Sequence, residues 1–306
     1  MANSARSERE TQDRVIRLFQ KMGYAYLGDW SRREKNRAVE YELLEAFLRR
    51  RGVAPELVAA ARLRIDQALP VLGHTLYEAN AGVYQLLRYG VIVSAGPGKP
   101  HETVRLVDWD TPGNNDFALA EEVTLREGGD VRRPDLVLYL NGFAVGVIEL
   151  KRASVTVGDG IRQLISNQRA NPYFFVASQL LLAGNDVEGL YYGTCGTEEQ
   201  FYVRWKEAAP AAPAPGCHLD GPLARLCDRE TLLDLLRDGI LFDGGVKKVP
   251  RPHQYLALKA AQERLLRKEG GVIWHTQGSG KSLLMVMLVK WILEHRPAAR
   301  VLIVTD

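Results

Sequence analysis

Residues 131–151, VRRPDLVLYLNGFAVGVIELK, constrain the fold more than any other stretch of the chain. Two runs rich in Val, Leu, Tyr and Phe are joined by Asn141-Gly142. That dipeptide tolerates the two left-handed backbone conformations of a two-residue turn, so the pattern predicts an antiparallel hairpin. The second run, AVGVIELK, is apolar until its last residues and reads as a buried strand. Helical patterns flank it. Residues 7–22 place Val15, Ile16, Leu18 and Phe19 among charges and stop at Gly23, a natural helix C-cap. NRAVEYELLEAFLRRR and PELVAAARLRIDQAL are two further helices, separated by Gly52 and with Pro55 opening the second. After Tyr89 short β-like runs take over: GVIVSAG, ETVRLVDWD, the loop TPGNND, then FALAEEVTLRE. Beyond the hairpin, SVTVGDGIRQLISNQRANPYFF reads as loop and helix, LLLAGND and GLYYGT as strands, and FYVRWKE as a candidate last strand. The expectation is an α/β domain, a mixed sheet flanked by helices.

With 306 residues the chain has room for about two domains. The stretch EAAPAAPAPG, residues 207–216, has three prolines and nothing to anchor a core, so it reads as an extended linker. Residues 1–206 form the first expected domain, 217–245 a helical connector and 246–306 the start of a second domain. In that last part GGVIWH reads as a short buried strand, HTQGSGKS as a Gly-rich loop, SLLMVMLVKWILEH as a helix and RVLIVTD as a second strand. Forty Lys and Arg against 37 Asp and Glu leave a net charge of +3, so a nucleic-acid surface would have to be local. Three cysteines without CxxC spacing argue against a disulfide framework or a structural zinc site. With no apolar run of the roughly 20 residues that span a bilayer, and a polar N-terminus, a soluble cytoplasmic protein is expected.

Two constellations carry chemistry. HTQGSGKS matches the phosphate-binding loop GxxxxGK(S/T) except at its first position, His275. Between a strand and a helix, the N–H groups of Gly278, Ser279 and Gly280 would face a phosphate, Lys281 would pair with the β- and γ-phosphates, and Ser282 would bind Mg²⁺. Thr276 belongs to the same loop, and Gln254, upstream of it, is a candidate reader of the adenine edge of ATP, because an amide both donates and accepts. The second constellation is Asp135 on one hairpin strand with Glu149 and Lys151 on the other. Residues two apart on a strand share a face, and the hairpin brings Asp135 toward it. Two carboxylates beside an ammonium suit Mg²⁺ and phosphodiester hydrolysis. Such a D…ExK arises often by chance, but charges ending an apolar strand are costly without a role. Glu10, on the first helix, is a candidate further carboxylate at this metal site, and Gln163 a candidate to touch DNA or orient a water. The six histidines show no metal-ligand spacing.

The order of these motifs resembles the restriction (motor) subunit of type I restriction-modification enzymes: a PD-(D/E)xK nuclease core, a helix with Gln, a linker, an R-x-x-Q element and a superfamily-2 helicase phosphate loop. LVDWDTPGNNDFALAEEVTL, VIELKR, IRQLISNQ, FDGGVKKVPRPHQYLA, HTQGSGKS and VLIVTD are similar to successive landmarks of that family across the whole chain. The resemblance implies a mixed-sheet nuclease domain followed by the beginning of a RecA-like P-loop lobe. It further implies Mg²⁺-dependent cleavage of duplex DNA coupled to ATP-driven translocation, with methyltransferase and specificity subunits as partners. Where the family has Gln-x-x-x-Tyr, this sequence has Gln163 and Asn167, with Tyr173 a candidate for the tyrosine's role. The sequence ends at Asp306, before any DExx box or second motor lobe, so the resemblance implies an N-terminal fragment without ATPase activity. Arg132 and Arg133 are candidate phosphate contacts; the run Arg49-Arg50-Arg51 reads first as a solvated helix end. The alternatives are a helicase or remodelling motor with a non-catalytic docking module, or an assembly module for a methyltransferase.

Overall fold

The structure, a computed structural model, describes residues 7–127, 129–206, 217–296 and 298–304, so the Ala/Pro linker lies outside the described residues. Helix α1 (Glu8–Lys21) opens with a capping box in which Ser7 and Glu10 exchange hydrogen bonds, and ends where Gly23 turns the backbone left-handed. A short strand β1 (Ala25–Asp29) follows, then α2 (Tyr41–Arg50), α3 (Pro55–Ala68), α4 (Leu76–Tyr89) and a ribbon of β2 (Val91–Ser94) with β3 (His101–Val104). Strand β4 (Phe117–Glu121) precedes a second ribbon, β5 (Leu125–Glu127) with β6 (Asp130–Arg132), and the expected hairpin is β7 (Leu136–Leu140) with β8 (Phe143–Leu150). Asn141 and Gly142 both take positive φ, 48° and 88°, as the turn requires. Helices α5 (Val157–Ala170) and α6 (Pro172–Phe175) lead to β9 (Leu180–Asn185), β10 (Gly189–Gly193) and the two-residue β11 (Val203–Arg204).

Seven of these strands form one sheet in the order β1-β4-β7-β8-β9-β10-β11. The pairs β1·β4 and β8·β9 are parallel and the other four antiparallel, which makes the sheet mixed as expected. Alternate residues of the central strands serve opposite cores. Leu136, Leu138, Leu140 and Ile148 pack with Phe19, Phe47, Ile65 and Val83 of α1 to α4. Val137, Tyr139, Val147 and Leu181 pack with Ile161 and Leu164 of α5 and with Phe174. Both faces are therefore covered by helices, the condition under which apolar central strands are stable in water.

After the linker, α7 (Asp220–Leu226) and α8 (Arg229–Asp234), which continues as a π-helical turn (Leu235–Gly239), add Leu223, Leu226, Leu232 and Leu236 to the core of the α1 side. The hairpin of β12 (Leu241–Asp243) and β13 (Val246–Lys248) connects to α9 (Pro252–Leu266) and α10 (Lys281–His295), which share a small core of Leu258, Leu284 and Met287. Two expectations fail here. GGVIWH is not a buried strand: Val272 and Trp274 are 85% and 89% exposed and unpaired in any ladder. Nor is RVLIVTD a strand over its described residues 300–304, where Leu302 is 87% exposed. A strand exists only through hydrogen bonds to a neighbour, and among the described residues neither segment has a paired neighbour. Among the described residues, the part after β13 thus consists of the Gly-rich loop and the helices α9 and α10, without a sheet.

Candidate active site

The hairpin register builds the site. Near the turn Leu140 faces Phe143 and Tyr139 faces Ala144, but past a bulge Leu138 faces Gly146 and Leu136 faces Ile148. The extra residue shifts the pairing by one, so continuing the register sets Asp135 opposite Glu149 rather than Ile148. Directly opposed residues share a face. Both carboxylates therefore lie on the α5 side of the sheet, and Lys151, two residues beyond Glu149, joins them as the spacing predicted.

Each of the three is buried. Asp135 Oδ2 accepts the N–H of Leu150 at 2.6 Å. Burial raises the Asp135 carboxyl to about 6, against the pull of that hydrogen bond and of Lys151. Glu149 is pushed up well beyond the usual carboxylate range, by burial first and by the neighbouring Asp135 second. Its Oε1 accepts from Asn167 Nδ2 at 3.0 Å, whereas its buried Oε2 accepts no N–H among the described residues, faces Asp135 and lies 3.8 Å from Lys151 Nζ. Helix α5 comes this close because Gly160 has no side chain: a Cβ there would stand 3.3 Å from Ala183 Cβ and 3.5 Å from Lys151 Cγ.

The first helix contributes a different residue from the expected one. Glu10 is exposed, and its Oε2 accepts the Ser7 N–H at 2.7 Å in the capping box. Glu8 reaches the site instead, with Oε1 3.5 Å from Lys151 Nζ. Two helical steps are about 200°, so Glu8 and Glu10 cannot face the same cluster. One turn on, the buried Gln12 amide donates to Glu121 Oε2 at 2.9 Å, to Glu122 Oε1 at 3.1 Å and to the Asp135 carbonyl at 3.4 Å. Glu121 also receives Arg9 at 2.6 Å and the Tyr26 hydroxyl. Glu122 takes a positive φ of 53°, a conformation non-glycine residues rarely adopt, beside these carboxylates.

On α5 the amide that touches Glu149 belongs to Asn167; Gln163, one turn earlier, is half-buried. Tyr173 is elsewhere: its hydroxyl accepts the Arg126 N–H at 3.2 Å and donates to the Arg126 carbonyl at 3.1 Å, tying down β5. Arg49, Arg50 and Arg51 are each paired with a carboxylate, of Glu45, Asp116 and Asp108, which agrees with a solvated helix end. Asp186, Cys217 and Asp220 gather their ligand atoms like a metal site, but the Arg14 guanidinium bonds all three and supplies the cation.

The Gly-rich loop lies apart from the carboxylates in sequence and opens α10 with Gly280 in the left-handed region at φ 82°. Gly278 is left-handed as well, at 77°. Lys281 Nζ donates to the carbonyls of His275 and Thr276, both at 3.1 Å, while Lys281 and Ser282 remain exposed. Gln254 is brought to the loop: its Nε2 donates to the carbonyls of Ser279 at 3.1 Å and Gly280 at 2.9 Å, and its Oε1 accepts the Arg251 N–H at 2.7 Å.

A helix-covered mixed sheet with buried carboxylates at a central strand end defines an α/β protein with a candidate acid cluster. The family model described as "Type I restriction enzyme R protein N terminus" matches residues 5–200, and the chain belongs to that family. A model described as SWI2/SNF2 ATPase matches residues 253–306. The chain is 30% identical over 233 residues to the type I restriction enzyme HindI endonuclease subunit of Haemophilus influenzae, covering 69% of this chain and 22% of that protein. It is 23% identical over 328 residues to the MjaIXP endonuclease subunit assigned to a type I restriction enzyme of Methanocaldococcus jannaschii, covering 93% of this chain and 31% of that protein. It thus spans between about a fifth and a third of these relatives' length. Among the described residues no helix is long and apolar enough to cross a membrane.

Proposed function

We propose that residues 1–206 are a PD-(D/E)xK nuclease domain of a type I restriction endonuclease subunit, cleaving duplex DNA with Mg²⁺, and that residues 246–306 begin its ATP-driven RecA-like motor lobe. The observation that carries this reading is the pair Asp135 and Glu149, buried side by side next to Lys151 with one Glu149 oxygen that accepts no N–H among the described residues. Two buried carboxylates side by side are expensive when both are charged, and a hard divalent cation with oxygen ligands is the partner that would relieve them. The residues fit that ion: Asp135 and Glu149 would hold it, with Glu8 as the further carboxylate in place of Glu10. When bound, Mg²⁺ neutralises charge that develops on the phosphate.

The chain's own residues do the rest. The Leu150 N–H fixes Asp135, and the Asn167 amide fixes Glu149 while leaving its second oxygen available. Lys151, held between Glu8 and Glu149, places a positive charge where the phosphodiester becomes more anionic. Gln163, on the same helix as Asn167, would meet DNA, and Arg132 and Arg133 its phosphates. In the second part, Thr276, Gly278, Ser279, Gly280, Lys281 and Ser282 would cradle ATP phosphates, with Gln254 supporting the loop. Methyltransferase and specificity subunits would be the partners, in the cytoplasm. The test is nicking of plasmid DNA by the purified chain with Mg²⁺, beside Glu149→Ala and Lys151→Ala. Mg²⁺-dependent nicking lost in both variants is expected. Absence of any Mg²⁺ binding would refute the metal site and favour a docking module.

A further inference from the structure

The apolar residues that seat α1 in the core, Val15, Ile16 and Phe19, all lie in its second half. Its first turn, which carries Glu8, contributes no apolar side chain to that core. Two polar contacts tie this end of the helix to the sheet. One is the ion pair of Arg9 with Glu121, made by an arginine side chain that is 55% exposed. The other is Gln12, only 3% exposed, whose amide nitrogen reaches the carboxylates of Glu121 and Glu122 and the Asp135 carbonyl. Glu121 does not depend on it, because Arg9 and the Tyr26 hydroxyl already bond that carboxylate. What Gln12 adds is a tie to Glu122 and Asp135, which are themselves joined by the Glu122 N–H donating to the Asp135 carbonyl at 2.9 Å. Glu8 lies one turn away on the same face, about 6 Å along the helix axis. The type of residue also matters. A lysine or arginine at this point would cancel the negative potential that attracts a divalent cation, whereas an amide donates hydrogen bonds to the same oxygens and leaves that potential in place.

We propose that Gln12 is a positioning residue for the divalent cation: its amide sets the distance between Glu8 on α1 and Asp135 just before β7, and so the opening in which the ion is held. The inference rests on the reading of Asp135, Glu149 and Glu8 as the ion's ligands, and adds the residue that fixes the helix-borne ligand against the strand-borne pair. Lys151 Nζ stands between Glu8 and Glu149, at 3.5 and 3.8 Å, so a shift of α1 would also leave the lysine with Glu149 alone.

The experiment measures Mg²⁺ binding to the full chain by calorimetry for wild type, Gln12→Met, Glu8→Gln and the double variant, beside thermal melts in EDTA. Methionine keeps the volume of the side chain and removes the amide. Gln12→Met should weaken Mg²⁺ by about tenfold, the lower end of what loss of a group that orients a metal ligand costs. In the Glu8→Gln background the same substitution should change Mg²⁺ affinity by less than about twofold, because its effect passes through Glu8. Gln12→Asn, whose amide is one methylene short, should shift the affinity in the same direction, and it serves where the methionine variant melts too early to assay. A glutamine with a structural role alone would lower the melting temperature in EDTA and leave Mg²⁺ affinity as it was. That result, or a loss of the same size in both backgrounds, would overturn the positioning role and leave the metal site standing. Failure of the wild type to bind Mg²⁺ would overturn the metal reading and the inference with it.

Discussion

Asp135→Asn should stabilise this protein at mildly alkaline pH and leave it unchanged in acid. Burial lifts the Asp135 carboxyl from 3.8 to about 6. At 1.36 kcal/mol per unit, a shift of about two units amounts to about 3 kcal/mol of differential interaction between the protonated and charged forms. The sign follows from proton counting. Between pH 3.8 and 6 the folded protein keeps a proton that the unfolded chain has released, so stability falls as pH rises through that window. Above it the full penalty persists. Asparagine retains an oxygen for the Leu150 N–H and removes the charge that faces Glu149, at the cost of the attraction to Lys151. The expected gain is therefore smaller than the full shift, about 1–3 kcal/mol near pH 8, vanishing below about pH 4. Urea unfolding in EDTA at a series of pH values measures it. Millimolar Mg²⁺ should then raise the wild-type midpoint and not that of the variant. A variant less stable than wild type near pH 8, or a gain of the same size in acid, would refute the reasoning.

Three further substitutions probe the construction of the site. Asn167→Ala strands Glu149 Oε1 and should lower Mg²⁺-dependent nicking by about 10–100-fold, as loss of a residue that orients a metal ligand does, while circular dichroism shows an intact fold. Gly142→Ala forces a Cβ into a residue at φ 88°, 2.5 Å from the Glu40 carbonyl oxygen. It should destabilise by about 2–4 kcal/mol in urea unfolding, and a neutral result would contradict the turn geometry. Arg14→Ala leaves Asp186 and Asp220 facing each other and should cost about 3 kcal/mol. Because Cys217 shares that cluster, micromolar Zn²⁺ should restore part of the loss in a thermal melt; no change with Zn²⁺ would mean that the three ligands relax apart.

What could be read from the sequence followed from local rules, and what could not depended on register and phase. The Asn141-Gly142 turn dictates its own backbone, so the hairpin was readable, and with it the strand carrying Glu149 and Lys151. The bulge that sets Asp135 opposite Glu149 left only a weak trace, Gly146 inside an apolar strand, where a missing side chain often marks such a bulge. Helix α4 went unrecognised although Thr75 and Glu78 spell a capping box that the structure uses. Strand β1 carries no such signal, and its five residues acquire their conformation by pairing with β4.

The carboxylate borne by the first helix shows where sequence reasoning stops. Helical periodicity fixes which residues of α1 share a face, but not which face meets the strand end. Glu8 and Gln12, four residues apart, lie on one side and reach Lys151 and the carboxylates of Glu121 and Glu122. Glu10 lies on another side and serves the helix itself. The capping box decides between them: Ser7 at the N-cap with Glu10 at the third helical position is a local signature, readable before any fold is known. A glutamate engaged in capping is a poor candidate for a distant metal, and that exclusion leaves Glu8 as the carboxylate of the first turn. The same logic applies to Asn167. An amide one turn after Gln163 falls on the same helix face, and the buried acceptor waiting there is Glu149, whose strand the hairpin had already placed beside α5.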